Sequence, residues 1–325
     1  MVSTTVPDMP LRIAFFGTPA FAVPTLDALL ASSHEVVGVV TQPDRPRGRG
    51  QQVSDAPVKE RAVVAGVPIL QPTRLKDPVF LDAFRAWNAD LGVVAAYGRL
   101  LPQVLLDIPP RGLLNVHASL LPAWRGASPI QRAVLNGDAV SGVTIMRVVL
   151  ALDAGAMLAR VEVPVSPDDT SGSLEARLAV AGASLLRDVV DRIGRGESVE
   201  EVPQDDAAAT LAPRLEKQEG LIDWTRSAWS LDCHVRGMQP WPSAFTYVDG
   251  QRLVVREARA DDTPAGDVPP GGLVRVDGDA ALLACGDGRC LRVSRVQPEG
   301  KRAMTTREWL QGRRAAEPLR AGMAP

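Results

Sequence analysis

The sequence predicts a Rossmann-like α/β domain, a mostly parallel sheet with helices on both faces, followed by a smaller OB-like β-barrel domain. Short apolar runs alternate with helical stretches through the first part of the chain, the pattern of a parallel sheet wrapped by helices. A polar, charged stretch at 196–219 then breaks the alternation. Beyond it, short strands are punctuated by Asp-Gly pairs that suit hairpin turns.

Taken in order, Leu11–Gly17 is an apolar run ending in Gly-Thr-Pro, and Phe21–Ala31 has helical spacing. Glu35–Thr41, Asp90–Tyr97, Gly112–His117 and Gly142–Leu150 are further β-rich runs, and Ser173–Ile193 is a long amphipathic helix. Residues 1–10 are expected to be a flexible N-terminus, 11–195 the first domain, 196–219 a linker and 220–325 the barrel domain. Asp249-Gly250, Asp277-Gly278 and Asp287-Gly288 mark its hairpins.

The 325 residues are 46% hydrophobic and 23% charged, with a mean hydropathy of +0.01, which fits a soluble globular protein. No apolar run is long enough to span a bilayer and MVSTTVPDMP does not resemble a signal peptide. Cys233, Cys285 and Cys290 form no CxxC pair; a reducing cytoplasm is expected, without a disulfide framework or metal site. Nine Arg or Lys against three Glu fall between Arg289 and Arg320, a stripe that suits a phosphate backbone.

Asn115 and His117 are two apart at the end of an apolar strand, so their side chains share a face. Ligands in open α/β sheets sit beyond the carboxyl ends of strands, where this pair falls. Spacing alone also allows a capped strand end, with both side chains satisfying loop backbone. The functional reading needs an acid, and Asp153 in Leu152-Asp153-Ala154-Gly155 is the candidate.

The segment NVHASLLP, followed by WRGASPI, resembles the signature of the folate-dependent formyltransferases. Phe16-Gly17-Thr18-Pro19, Thr41–Pro46, Ala96-Tyr97-Gly98, Glu219–Trp224 and Pro240-Trp241-Pro242 extend that likeness across about residues 11–315, toward the branch that acts on methionyl-tRNA. The resemblance implies 10-formyltetrahydrofolate as donor and initiator Met-tRNA as acceptor, with no metal and a monomeric enzyme. It implies Asn115, His117 and Asp153 as the catalytic trio, and Tyr97, Gly98, Ser119, Leu120, Leu121 and Pro122 as the folate site. Val149, Ala151, Ala156 and Ala123 depart from the family pattern, and the loop from Val149 to Gly155 is expected to line the folate pocket. In chemical terms, Asn115 can donate to a tetrahedral oxyanion and His117 can carry a proton near neutral pH.

Gln42–Gln52 holds three Arg, two Gly and two Pro and reads as an exposed basic loop rather than a regular element. By resemblance, Arg45, Arg47 and Arg49 meet the tRNA acceptor end, with Gln51 and Gln52 where relatives have Lys. Arg302, among Arg289, Arg292, Arg295, Lys301, Arg313 and Arg314, is expected on the tRNA track of the second domain. Trp224, Trp229 and Trp241 are read as core or interface residues, and His34 and His234 as structural. A dinucleotide oxidoreductase is disfavoured because GTPAFAVP is not GxGxxG and Pro19 lacks an N–H. The arginine loop and basic tail argue against a sugar or nucleotide acceptor, and the trio against a noncatalytic RNA-binding protein.

Overall fold

The computed structural model describes residues 10–47, 52–312 and 319–322, without the side chains of 45–47 and 52–54. The expected flexible N-terminus lies outside the described residues except for Pro10. Two compact units emerge. The first takes the chain through Pro129, Val140–Pro164 and Glu175–Ala212; the second takes Ile130–Ala139, Val165–Leu174 and the chain from Pro213.

The first unit is built on a seven-stranded sheet: β1 (Arg12–Gly17), β2 (Glu35–Val40), β3 (Ile69–Leu70), β4 (Leu91–Ala95), β5 (Leu113–His117), β6 (Val140–Arg147) and β7 (Met157–Pro164), ordered β7-β6-β5-β4-β1-β2-β3. From β5 to β3 every neighbouring pair is parallel. β6 runs antiparallel to both β5 and β7. The central strands are apolar along their length because both faces are covered; Ile13, Phe15, Phe16 and Leu91 are fully buried. The helix Ser171–Gly194 packs at Gly182 against Val116 and Val143. Val116 points opposite to Asn115 and His117, so that helix covers the face away from the pair.

Two strands of this seven-stranded sheet escaped the sequence reading. Ile69–Leu70 has only two residues, and Met157–Pro164 is an edge strand in which only Met157 and Val163 are buried and Arg160 and Glu162 interrupt the apolar residues. Of the polar segment 196–219, residues 196–212 belong to the first unit and 213–219 to the second. Val202 bridges Met157, and Leu211–Ala212 pairs in parallel with Arg125–Gly126.

In the second unit, five strands follow the order Phe245–Val248, Gln251–Pro264, Arg289–Pro298, Ala280–Ala284, Leu273–Asp277. Asp249-Gly250, Asp277-Gly278 and Asp287-Gly288 turn its hairpins; Asp249, Gly250, Gly278 and Gly288 all adopt positive φ. The two edge strands are joined through the C-terminal segment: Gly322 bridges Tyr247 and Arg320 bridges Gly272. That closes a small barrel, whose interior holds Trp224, Leu253, Val255, Leu291 and Leu319.

Candidate active site

Asn115 and His117 project from the carboxyl end of β5, and Asp153 lies in the loop joining β6 to β7. The fold brings Asp153 to the imidazole. Its Oδ2 is 3.7 Å from His117 Nδ1, with the two side chains only 6% and 16% exposed. The other ring nitrogen, Nε2, is 3.0 Å from the carbonyl oxygen of Trp124. A carbonyl can only accept, so Nε2 carries the hydrogen and Nδ1 of a neutral ring is left as the proton acceptor facing the carboxylate. The Asn115 carboxamide is half-buried and makes no side-chain hydrogen bond among the described residues, so its N–H groups remain available to a ligand.

Asp153 holds an unusual backbone. Its φ of 47° is left-handed, a region that costs most non-glycine residues energy but that Asp tolerates better. Gly155 makes the turn possible, since a Cβ there would lie 1.9 Å from the Arg147 carbonyl oxygen. The carboxylate is fixed by the Gly126 N–H, which donates to Oδ2 at 2.9 Å. Gly126 (φ 126°) lies so close to Ala212 that a Cβ would meet its carbonyl oxygen at 2.6 Å. Sequence reasoning missed Gln204, whose amide contacts the backbone of Asp153 and Gly155 at 2.8 and 2.7 Å. It sits in a stretch that composition marks only as polar, and spacing carries no signal for it.

The residues expected around a folate are of two kinds. Tyr97 turns its ring into the core, edge-on to Phe16, where burial raises its hydroxyl above the ordinary range; only its backbone, which accepts from Gln42 Nε2 at 2.7 Å, faces the loop. Gly98 follows at a φ of 79° and is exposed. Ser119 and Leu121 point inward: the Ser119 hydroxyl donates to Ala123 O at 2.6 Å, and Leu121 packs with Met146 and Met157. Leu120 and Pro122 are half-buried. Val149, Leu150 and Leu152, on the loop that carries Asp153, are exposed apolar side chains. Among the described residues no group of three His, Cys, Asp or Glu side chains is arranged to hold a metal.

The arginines differ from expectation. Arg45–Arg47 is a short strand paired antiparallel with Gln52–Ser54, which corrects the reading of Gln42–Gln52 as wholly irregular. Backbone pairing forms there regardless of the Pro and Arg side chains. Arg49, Arg313 and Arg314 lie outside the described residues. In the barrel, Arg289 pairs with Asp262, Arg292 with Asp261 and Asp277 at 2.9 and 2.6 Å, and Arg295 with Glu257 at 3.6 Å. Lys301 and Arg302 are exposed. Trp224 is a core residue, but Trp229 and Trp241 are about half exposed, at 55% and 48%, because one lies near the start of a helix and the other within a proline-rich turn. His34 and His234 are buried, each with ring-nitrogen partners: Leu11 N and Asp191 for His34, Gly220 O for His234.

Residues 11–190 match the formyl transferase family, and residues 214–314 match the formyl transferase C-terminal domain. The chain is 47% identical over 304 residues to the methionyl-tRNA formyltransferase of Desulfotalea psychrophila, covering 93% of each chain. It is 45% identical to that of Bacillus licheniformis, over 96% of this chain and 97% of the relative. Among solved structures, an N-formyltransferase from Helicobacter canadensis in complex with folinic acid and dTDP-3-aminofucose matches with a TM-score of 0.66 at 15% identity, over 89% of this chain and 99% of that one. At that identity the likeness speaks for the fold alone.

Proposed function

The chain belongs to the formyl transferase family, and on that premise we propose that it moves the formyl group of 10-formyltetrahydrofolate to the α-amino group of methionine on initiator Met-tRNA. The observation that carries this reading is the approach of Asp153 to His117, with Asn115 two residues away on the same strand, in a chain alike over nearly its whole length to enzymes named for methionyl-tRNA.

The reaction starts when the neutral amine attacks the formyl carbon and the carbonyl oxygen becomes an oxyanion. Asn115 donates to that oxyanion, a contact worth about 10²–10³ in rate. As the C–N bond to folate breaks, a proton must leave the amine and reach the departing nitrogen. Nδ1 of His117 holds it in transit, because Nε2–H is committed to Trp124 O. The separation of 3.7 Å leaves that lone pair open to a substrate proton, and once the ring is charged it sits beside a carboxylate. A positioned acid-base group of this kind adds about 10²–10⁴.

Support for the folate site is the exposed apolar surface of Val149, Leu150 and Leu152 beside Asp153, where a flat ring can pack, together with the exposed Gly98 turn. The departures at Val149, Ala151 and Ala156 fall on that same loop. For the acceptor, Arg45, Arg47 and Arg49 and, in the barrel, Arg302 contact tRNA phosphate or base. Among the described residues no helix is long and apolar enough to cross a membrane, and every group of the trio comes from one copy; we place the enzyme in the cytoplasm, acting as a monomer.

The test is formyl transfer from 10-formyltetrahydrofolate with initiator and elongator Met-tRNA offered side by side. Strong preference for the initiator is expected. Equal use of both, or transfer only to a small amino sugar or nucleotide, would overturn the tRNA assignment.

A further inference from the structure

We infer that Gln204 is a positioning residue that sets the Asp153 carboxylate against His117, an inference that rests on the catalytic reading of Asp153 above. Its carboxamide is fully engaged. One N–H is shared toward Asp153 O at 2.8 Å and the other toward Gly155 O at 2.7 Å, while Oε1 accepts from Arg125 Nε at 3.0 Å. No other proteinogenic side chain of this length offers two donors and an acceptor in one plane.

What Gln204 grips explains why it matters. One of the two carbonyls belongs to Asp153, the residue with the left-handed backbone, and the other lies two residues on; such a conformation persists only when its surroundings impose it. Arg125, the acceptor's partner, is buried and also donates to Asp206 Oδ1 at 2.8 Å. The residue after it supplies the N–H that holds Asp153 Oδ2, and the residue before it supplies the carbonyl that holds His117 Nε2. Trp124 N in turn donates to Thr210 Oγ1 at 2.9 Å, and Arg125 N to Thr210 O at 2.9 Å. Residues 204–212 thus form a strap across residues 124–126, and those three residues touch both members of the His–Asp pair. Gln204 is the point where the strap reaches the Asp153 loop itself. An outer partner that orients a reactive carboxylate without touching substrate is expected to alter turnover, not substrate affinity.

The experiment uses the full chain and single-turnover formyl transfer from 10-formyltetrahydrofolate to initiator Met-tRNA. Gln204→Ala is expected to slow transfer about tenfold or more, with KM for Met-tRNA within about twofold. Its pH–rate profile should move in the same direction as that of Asp153→Ala, which loss of packing alone would not produce. In an Asp153→Ala background the same substitution should cost less than about twofold, because its target is gone. If Gln204→Ala lowers the yield of folded protein, Gln204→Glu decides: it is isosteric but cannot donate to two carbonyls, and should be equally slow. Wild-type rates for both Gln204 variants, or losses that multiply with Asp153→Ala, overturn the positioning role while the catalytic reading stands. Should Asp153→Ala itself transfer at the wild-type rate, the catalytic reading fails and the positioning role with it.

Discussion

Both units bring acidic and basic side chains together, and they do so for different ends. In the first, His117 and Asp153 stand 3.7 Å apart and nearly sheltered from water. In the barrel, Arg289, Arg292 and Arg295 meet acids on exposed strand faces. Exposed pairs are worth little in stability, typically about 0–1 kcal/mol, whereas a sheltered pair can bias where a proton resides. Within the basic stripe that reads as a phosphate track, Arg289, Arg292 and Arg295 are matched by carboxylates of the barrel itself. Lys301, Arg302, Arg307 and Arg320 are exposed and make no ion pair among the described residues.

The largest expected effect is on the sheltered side. Asn115→Ala, His117→Ala and Asp153→Ala should each cut turnover more than about tenfold, while tRNA binding, read by filter retention or fluorescence, stays near the wild-type level. Next comes Gly155→Ala. With a Cβ 1.9 Å from the Arg147 carbonyl, the Asp153 loop must shift; a loss of stability of about 1–3 kcal/mol and slower transfer are expected, by thermal melting and by assay. Wild-type behaviour would show that the loop tolerates movement and that its shape is not part of the site.

The barrel arginines give smaller contrasts. Arg302→Ala should weaken tRNA binding and reduce the salt dependence of affinity by about one unit of slope. Arg292→Ala should leave that slope nearly unchanged, because two carboxylates already hold Arg292; an equal drop in both variants would abolish the distinction drawn between paired and free arginines. The smallest effect is acid stability. Hydrogen bonds from Thr263, with help from Arg292, lower Asp261 to about 2, against about 3.9 for a free Asp. A lowered carboxyl stabilises the fold above its unfolded value, and that contribution disappears as pH falls from about 4 to 2. Denaturant melts of Asp261→Asn should therefore show less loss of stability than wild type across that interval.

Much of the fold was legible because buried parallel strands must be apolar on both faces, and β1, β2, β4 and β5 are nearly continuous apolar runs. The Asp-Gly pairs announced the hairpins for a conformational reason. Closure of the barrel by residues 319–322 was not legible, since backbone bridging there leaves no side-chain pattern. Asn115 and His117 could be placed on one face by the two-residue period of a strand. The approach of Asp153, 36 positions from His117, depends on the β5–β6 pairing that no local pattern encodes. Resemblance named Asp153; only coordinates bring it to the ring. The strap at 204–212 was hidden for a similar reason. Its residues are mostly polar or small and mostly exposed, so composition suggested a linker, while its worth lies in amide and hydroxyl contacts to a distant turn. Ser119, Leu121 and the Tyr97 ring show the converse: a motif marks a segment, yet individual side chains within it can face the core.

The most direct test of the site is a double-mutant cycle on single-turnover formyl transfer, comparing His117→Ala, Asp153→Ala and the two combined. If imidazole and carboxylate act as one unit, the double variant should be about as slow as the slower single one. Losses that multiply, or a double variant that transfers formyl at the wild-type rate, would contradict a shared role for the pair.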